Sequence, residues 1–195
     1  MTSAADTLTR STIGGAVKAL SQGRPAIILD GNGVGVLFFA GSRSTVSLLH
    51  FAIRHSNGLI FAVMRPEHID ALRIPDQSVL ESERSSLRFT VAVDAAVGVT
   101  TGISARDRAL TIRTPSDDPD SAPASVIRPG HVLPVRCGQT DRNVAYFTAL
   151  ELGARADYRS RAVGACHLVA DTGETLRGAL LIRFPRAHDL HVLRQ

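Results

Sequence analysis

The clearest capacity for chemistry lies in a glycine-rich turn, residues 98–102, which contains two hydroxyls, Thr100 and Thr101. Ser104 follows the turn and Asp107 comes three positions later, a pattern typical of a capped helix start. Backbone N–H groups and hydroxyls at a helix N-terminus suit a phosphate or a carboxylate. The residues leave an alternative open, namely a turn that only connects a strand to a helix.

Two histidines and a tyrosine are the candidate proton carriers. His131 follows the tripeptide Arg-Pro-Gly, and His167 lies inside an apolar run. Imidazole titrates near neutral pH, and the phenol of Tyr146 can donate a hydrogen bond to a ligand. The alternative is structural: His131 would hydrogen-bond its own loop, and His167 would be a core histidine or face solvent.

The surrounding pattern predicts the elements that must position these residues. Residues 89–94 alternate apolar and polar side chains, which predicts a strand leading into the glycine-rich turn. Other apolar runs predict strands at 26–29, 34–40, 59–64 and 163–170 and one ending at Val135. Helices are predicted at 9–20, 44–54, 66–72, from Ser104 onward and at 141–156. Residues 176–183 fit either a strand or a helix.

The alternation of strands and helices predicts a single mixed α/β (α+β) domain spanning residues 1–195. Residues 114–125 are rich in Pro, Ser and Asp, which favours a mobile loop within that domain rather than a linker between domains. No internal repeat is visible in the sequence.

Composition excludes several classes of function. The chain has 195 residues, a net charge of +4 and only 5% aromatic residues, so a base-stacking nucleic-acid surface is not expected. No apolar run is long enough to span a membrane, and no signal peptide is recognisable. Two cysteines, Cys137 and Cys166, make neither a disulfide framework nor a zinc site. We therefore expect a cytoplasmic protein that binds neither nucleic acid nor membrane.

Several segments resemble one enzyme family. Residues 89–113 read FTVAVDAAVGVTTGISARDRALTIR, and residues 128–135 read RPGHVLPV. These are similar to the "FTVSVDA…GVTTGISAADRA" and "RPGHVFPL" blocks of 3,4-dihydroxy-2-butanone 4-phosphate synthases, which make a four-carbon riboflavin precursor from ribulose 5-phosphate. Weaker likenesses to this family extend from about residue 10 to about residue 175.

The resemblance implies a single α/β domain that forms a homodimer, with active sites close to the subunit interface and a small-molecule substrate. It also implies a divalent metal, magnesium, held by an acidic loop after the first strand and by a histidine in a later helix.

The chain departs from the family pattern at the residues that carry the chemistry. Asp30 is the only acid left in the loop, Tyr146 stands where the metal histidine lies, and His167 replaces a catalytic glutamate. A phosphate-binding arginine aligns with Asn143, although Arg142 is its neighbour. Valine and tyrosine are poor ligands for Mg²⁺, which prefers carboxylate and water oxygens. We therefore expect no metal and no other cofactor, and only His131 is clearly retained.

These residues support three hypotheses. The first is an enzyme with altered, metal-independent chemistry, a lyase, isomerase or dehydratase that acts on a small carbonyl or hydroxy compound in specialised metabolism. The second is an inactive relative that acts as a binding or regulatory partner, and the third is the family reaction itself. For the first, the predicted catalytic residues are His131, His167 and Tyr146, and the predicted substrate-binding residues are Arg54, Thr100, Thr101, Arg142 and Asp30.

Overall fold

A computed structural model describes residues 12–80, 82, 87–117, 123–139 and 143–194. Strands and helices alternate along the chain. The helices are α1 (Ile13–Ser21), α2 (Val46–Arg54), α3 (Pro66–Ala71), α4 (Ala105–Asp117), α5 (Val144–Ala156) and α6 (Gly178–Ala187). The strands are β1 (Ala26–Leu29), β2 (Gly35–Ala40), β3 (Phe61–Met64), β4 (Arg88–Phe89), β5 (Val93–Ala95), β6 (Val126–Arg136), β7 (Ala162–His167) and β8 (His191–Arg194).

The strands form one mixed sheet in the order β4-β6-β3-β7-β2-β1-β8, and β5 pairs with β6. Strand β3 is parallel to β6 and antiparallel to β7, while β1 is parallel to β8 and antiparallel to β2. The predicted single α/β domain with one mixed sheet is thereby confirmed.

Helices cover both faces of the sheet because successive strand residues point to opposite sides. On one face, α1 and α5 pack on a core that contains Phe38, Phe61 and Tyr146. On the other face, α2, α4 and α6 pack on a core that contains Phe39 and Leu49. We call these the α1/α5 face and the α2/α6 face.

Polar side chains cap the N-termini of four of the helices. The side chains of Thr12, Thr45, Ser104 and Asn143 accept hydrogen bonds from backbone N–H groups in the first turns of α1, α2, α4 and α5. Each of these bonds satisfies a donor that has no partner inside its helix. The helix start predicted at Ser104 is therefore confirmed, and α1 begins at Ile13, later than predicted.

The loop predicted for 114–125 is wrong at its beginning, because α4 continues to Asp117. The Thr114 hydroxyl donates to the carbonyl of Leu110, and the buried Ser116 hydroxyl accepts the backbone N–H of Arg161. These hydrogen bonds use the polar side chains that the sequence pattern assigned to a loop. Residues 118–122 lie outside the described part of the chain, and 123–125 form a short 3-10 helix.

The continuous strand predicted for 89–94 is also wrong. The chain leaves the sheet after Phe89 and returns at Val93, and the β5–β6 register shifts between Val93 and Asp94. Between them, the N–H of Thr90 donates to Pro134 and the N–H of Val91 donates to Pro75. Side chains after the break therefore do not keep the alternation that the sequence suggested.

Two further differences concern the C-terminal part. The segment predicted as a strand or helix at 176–183 is helix α6, and the residues after it form strand β8, which the sequence pattern did not predict. Both cysteines are buried, and neither forms a disulfide. None of the helices within the described ranges is long and apolar enough to cross a bilayer.

Candidate active site

The strand register brings the two candidate histidines to one end of the sheet. Leu133 of β6 and Ala165 of β7 both pair with Phe61 of β3. His131 and His167 lie two residues beyond these positions, in the same direction and on the α1/α5 face. Strand β3 lies between β6 and β7, so the backbones of the two histidines are roughly 10 Å apart. The sequence analysis named both histidines as catalytic, and the strand register is what brings them to one end of the sheet.

His131 is held by a carboxylate. Its Nδ1 lies 2.8 Å from Oδ2 of Asp94, and its backbone N–H donates to Oδ1 of Asp94 at 3.0 Å. An ionised carboxylate only accepts hydrogen bonds, so Nδ1–H is the donor, and in the neutral ring Nε2 is the nitrogen with the free lone pair. The Asp94 side chain is 7% exposed and the imidazole is 41% exposed. This geometry suits an oriented general base that a substrate can reach.

Two glycines make this contact possible. A Cβ at Gly102 would lie 1.9 Å from Oδ2 of Asp94 and 2.4 Å from Nδ1 of His131, and the backbone there has φ +82°. A Cβ at Gly130 would lie 1.9 Å from the carbonyl carbon of Val93. Only glycine permits both close approaches and the positive φ.

The glycine-rich turn is organised by Asp107 from inside. Its Oδ2 accepts the N–H of Thr100, the hydroxyl of Thr100 and the N–H of Gly102. These bonds hold the pKa of the buried Asp107 carboxyl below its usual range, the Thr100 hydroxyl being the largest influence and burial opposing it. Three of the donors that the sequence assigned to an external anion are therefore occupied by the protein's own carboxylate, and the Thr101 hydroxyl is not among them.

Arg108 ties two loops together beside this turn. Its Nε donates to the carbonyl of Ile103, and its NH1 donates to the carbonyl of Gly58 at 2.6 Å. The side chain is also close enough to Asp94 for a favourable charge interaction. Sequence reasoning missed both Asp94 and Arg108 as site residues. The available signal was their position inside the block shared with the family.

Tyr146 and His167 form a second polar pair. The Tyr146 hydroxyl lies 3.0 Å from Nε2 of His167. Burial raises the pKa of Tyr146, and burial lowers the pKa of His167 against an opposing influence from Asp30. Both groups are therefore neutral near neutral pH, and the phenol O–H can donate a hydrogen bond to Nε2. Tyr146 is only 1% exposed, so a ligand would meet His167 first.

Asp30 lies at the same end of the sheet, directly after β1. Its Oδ1 accepts the backbone N–H groups of Asn32 and Val34, so the carboxylate closes the turn that leads into β2. Val34 and Val36 are buried in the protein core. Asp30 influences the pKa values of Tyr146 and His167 electrostatically, but it makes no hydrogen bond to either.

The remaining predicted ligand residues are not gathered at these pairs. Arg54 ends α2, which packs on the opposite face of the sheet from Tyr146. Thr101 is exposed in the glycine-rich turn, and Arg142 lies outside the described residues. Substrate binding by Arg54, Thr100, Thr101 and Arg142 stays a prediction.

Comparisons with known proteins show the family to which the chain belongs. The family model of 3,4-dihydroxy-2-butanone 4-phosphate synthase matches residues 15–195. The 3,4-dihydroxy-2-butanone 4-phosphate synthase of Erwinia tasmaniensis is 34% identical over 184 residues, which cover 91% of this chain and 84% of that protein. The riboflavin biosynthesis protein RibBA of Salinispora arenicola is 37% identical over 93% of this chain. The chain spans only 44% of the length of that RibBA protein.

Solved structures give the same result. A crystal structure of 3,4-dihydroxy-2-butanone 4-phosphate synthase in complex with two magnesium ions has a TM-score of 0.83 and 29% sequence identity, covering 94% of this chain and 93% of that chain. A structure of the synthase from Candida albicans also has a TM-score of 0.83, at 30% identity and similar coverage.

A first prediction concerns the glycine that contacts His131 and Asp94. Gly102→Ala adds a methyl group that collides with the Asp94 carboxylate and strains a positive φ. We expect a loss of about 1–2 kcal/mol from the backbone and about 1–3 kcal/mol more from the collision, measured by urea unfolding. Gly33→Ala is the matched control, because Gly33 also has positive φ but no atom within 4 Å of its Cβ position. Equal losses in the two variants would contradict the close approach.

A second prediction concerns pH. The pKa values of His55, His68 and His167 are lowered mainly by burial. The unfolded chain then binds protons that the folded chain does not, so the free energy of unfolding falls as the pH drops below about 6.5 and levels off below the folded pKa values. Urea unfolding between about pH 7.5 and about pH 5.5 measures this decline. His167→Gln reduces the slope, whereas His50→Gln, on the surface of α2, leaves it unchanged. A slope of zero or of opposite sign in the unmodified chain would refute the prediction.

Proposed function

Because the chain belongs to the 3,4-dihydroxy-2-butanone 4-phosphate synthase family, we propose that it is an enzyme that moves protons on a small carbonyl or hydroxy compound at the sheet end containing His131. The supporting observation is the hydrogen bond between His131 and Asp94. It orients an accessible imidazole, fixes its tautomer and stabilises the imidazolium that forms when Nε2 accepts a proton.

The reaction begins with transfer of a proton from a carbon next to the substrate carbonyl to Nε2 of His131. His167, hydrogen-bonded to Tyr146, is the second proton carrier. Burial lowers the pKa of His167, which favours the neutral ring, and the buried phenol holds that ring in one orientation. Return of the proton to another substrate atom gives isomerisation. If the C–O bond at the neighbouring carbon breaks instead and the leaving hydroxyl takes the proton from the imidazolium, water departs and the result is dehydration. These are the lyase, isomerase or dehydratase outcomes that the scaffold allows.

Magnesium is named for one of the similar structures, and the donors in this chain do not fit it. Within the described ranges, no group of three His, Cys, Asp or Glu side chains could hold a metal ion. Asp30 uses one oxygen for two backbone N–H groups, and Asp94 is engaged by His131. Mg²⁺ prefers several free oxygen ligands in an octahedral arrangement. We therefore propose that the reaction uses no metal, and we assign no step to one.

Two other functions remain candidates, each supported by one observation. The burial of Tyr146 at 1% exposure favours an inactive relative that binds a partner, because the Tyr146–His167 hydrogen bond then only satisfies a core phenol. The 34% identity to a synthase, together with the retained RPGH and glycine-rich blocks, favours the family reaction. We further propose a homodimer in the cytoplasm, on the likeness to the family alone.

The third prediction tests proton transfer directly. The purified chain is incubated in D₂O with ribulose or ribulose 5-phosphate and EDTA, and deuterium at the carbon next to the carbonyl is followed by NMR. We expect incorporation that His131→Gln reduces by at least about 100-fold, because a general base contributes that much or more. His167→Gln gives a smaller reduction, and His50→Gln none. No incorporation by the unmodified chain would favour the inactive relative.

The fourth prediction separates altered chemistry from the family reaction. Ribulose 5-phosphate and Mg²⁺ are added, and formate is measured with and without EDTA. We expect no formate in either case, because Asp30 and Asp94, the carboxylates at this end of the sheet, already hold protein donors. Formate produced at a rate that EDTA abolishes would show that the metal site is formed by other residues, and the metal-free proposal would be wrong.

A further inference from the structure

A recess of about 400 Å³ lies on the α2/α6 face, away from His131 and Tyr146. It opens between the end of α2, the turn that follows β7, and α6. Its size falls within the range of small-molecule sites in proteins. Nothing in the proposed reaction uses this recess, because the candidate proton carriers lie on the α1/α5 face.

Aromatic rings form one wall of the recess. The His55 ring lies 4.9 Å from the Phe184 ring, edge to face, and 5.2 Å from the His188 ring. The Phe184 and His188 rings lie 4.6 Å apart, and Phe51 packs behind His55 at 4.7 Å. A planar ligand ring can pack against such a wall with favourable edge and face contacts.

His55 contributes a neutral ring to this wall. Burial lowers its pKa, and the neighbouring His188 and Arg54 lower it further against an opposing influence from Asp171. A neutral imidazole offers one donor and one acceptor without adding charge beside an apolar ring. The floor beside it is apolar and includes Val169 and Leu176.

Opposite charges line the same recess without being paired to each other. Asp171 and Arg183 both contribute to its surface. Among the described residues, neither side chain has an ion pair or a hydrogen bond. A carboxylate and a guanidinium at one recess can therefore bind the ammonium and the carboxylate of a ligand, and charge-assisted hydrogen bonds of this kind are the stronger ones.

We infer that this recess binds a small aromatic zwitterion, of the size and charge of one aromatic amino acid. The ligand ring packs against His55, Phe184 and His188, its carboxylate meets Arg183 and its ammonium meets Asp171. The inference is independent of the proposed reaction, since a site on the opposite face requires neither His131 nor His167 to be catalytic.

The test compares four probes on the full chain by NMR titration of the histidine side chains. L-phenylalanine carries the ring and both charges, 3-phenylpropionate lacks the ammonium, phenethylamine lacks the carboxylate, and L-alanine lacks the ring. We expect L-phenylalanine to shift the His55 and His188 resonances and to bind at least about ten-fold more tightly than each of the other three. His131→Gln should bind L-phenylalanine unchanged.

Substitutions at the two exposed charged residues test whether each one contacts the ligand. Arg183→Gln and Asp171→Asn should each weaken L-phenylalanine binding by about ten-fold or more, because each removes one charge-assisted contact. Arg177→Gln is the matched control, since Arg177 is exposed just before α6 and does not line the recess. The inference is overturned if L-phenylalanine does not bind, if one of the singly charged probes binds equally well, or if Arg183→Gln and Arg177→Gln behave alike.

Discussion

The hydrogen bond between Asp94 and His131 is the interaction on which the candidate site depends. It joins strands β5 and β6 at the point where their register shifts, and it requires the close approach of Gly102 and Gly130. The glycine-rich turn is fixed in turn by Asp107, and the adjoining loop by Arg108. A buried carboxylate is costly unless it is hydrogen-bonded, so these polar contacts are needed for the fold as well as for the proposed chemistry.

The candidate active site and the proposed ligand recess lie on opposite faces of the sheet. On the α1/α5 face, the register places His131 and the Tyr146–His167 pair at one strand end, with Asp30 nearby. On the α2/α6 face, α6 places Phe184 and His188 against His55. His167 is the last residue of β7 and faces one site, whereas the turn at 169–172, beyond the end of the strand, lines the other.

The blocks that resemble the family and the positions where we expect departures from it lie in different parts of the structure. The glycines, Asp94, Asp107 and Arg108 lie in blocks that resemble the synthases, and they form the support for His131. Asp30, Tyr146 and His167 lie where we expect the chain to depart from the family pattern, and their side chains bond to the turn at 30–34 or to one another. Tyr146 is itself part of the core, and its hydroxyl is satisfied there by the hydrogen bond to His167.

The sequence by itself determined the fold class, the strand at 26–29, the helix start at Ser104 and the identity of the candidate histidines, because these depend on local periodicity, capping and recognisable blocks. It did not determine the broken strand at 89–94, the helical residues 114–117 or strand β8, where long-range hydrogen bonds outweigh local preference. Only the tertiary structure paired His131 with Asp94, which is 37 positions away in the chain, and Tyr146 with His167. Such pairs depend on the strand register and on the order of the strands in the sheet, which local residue patterns do not encode.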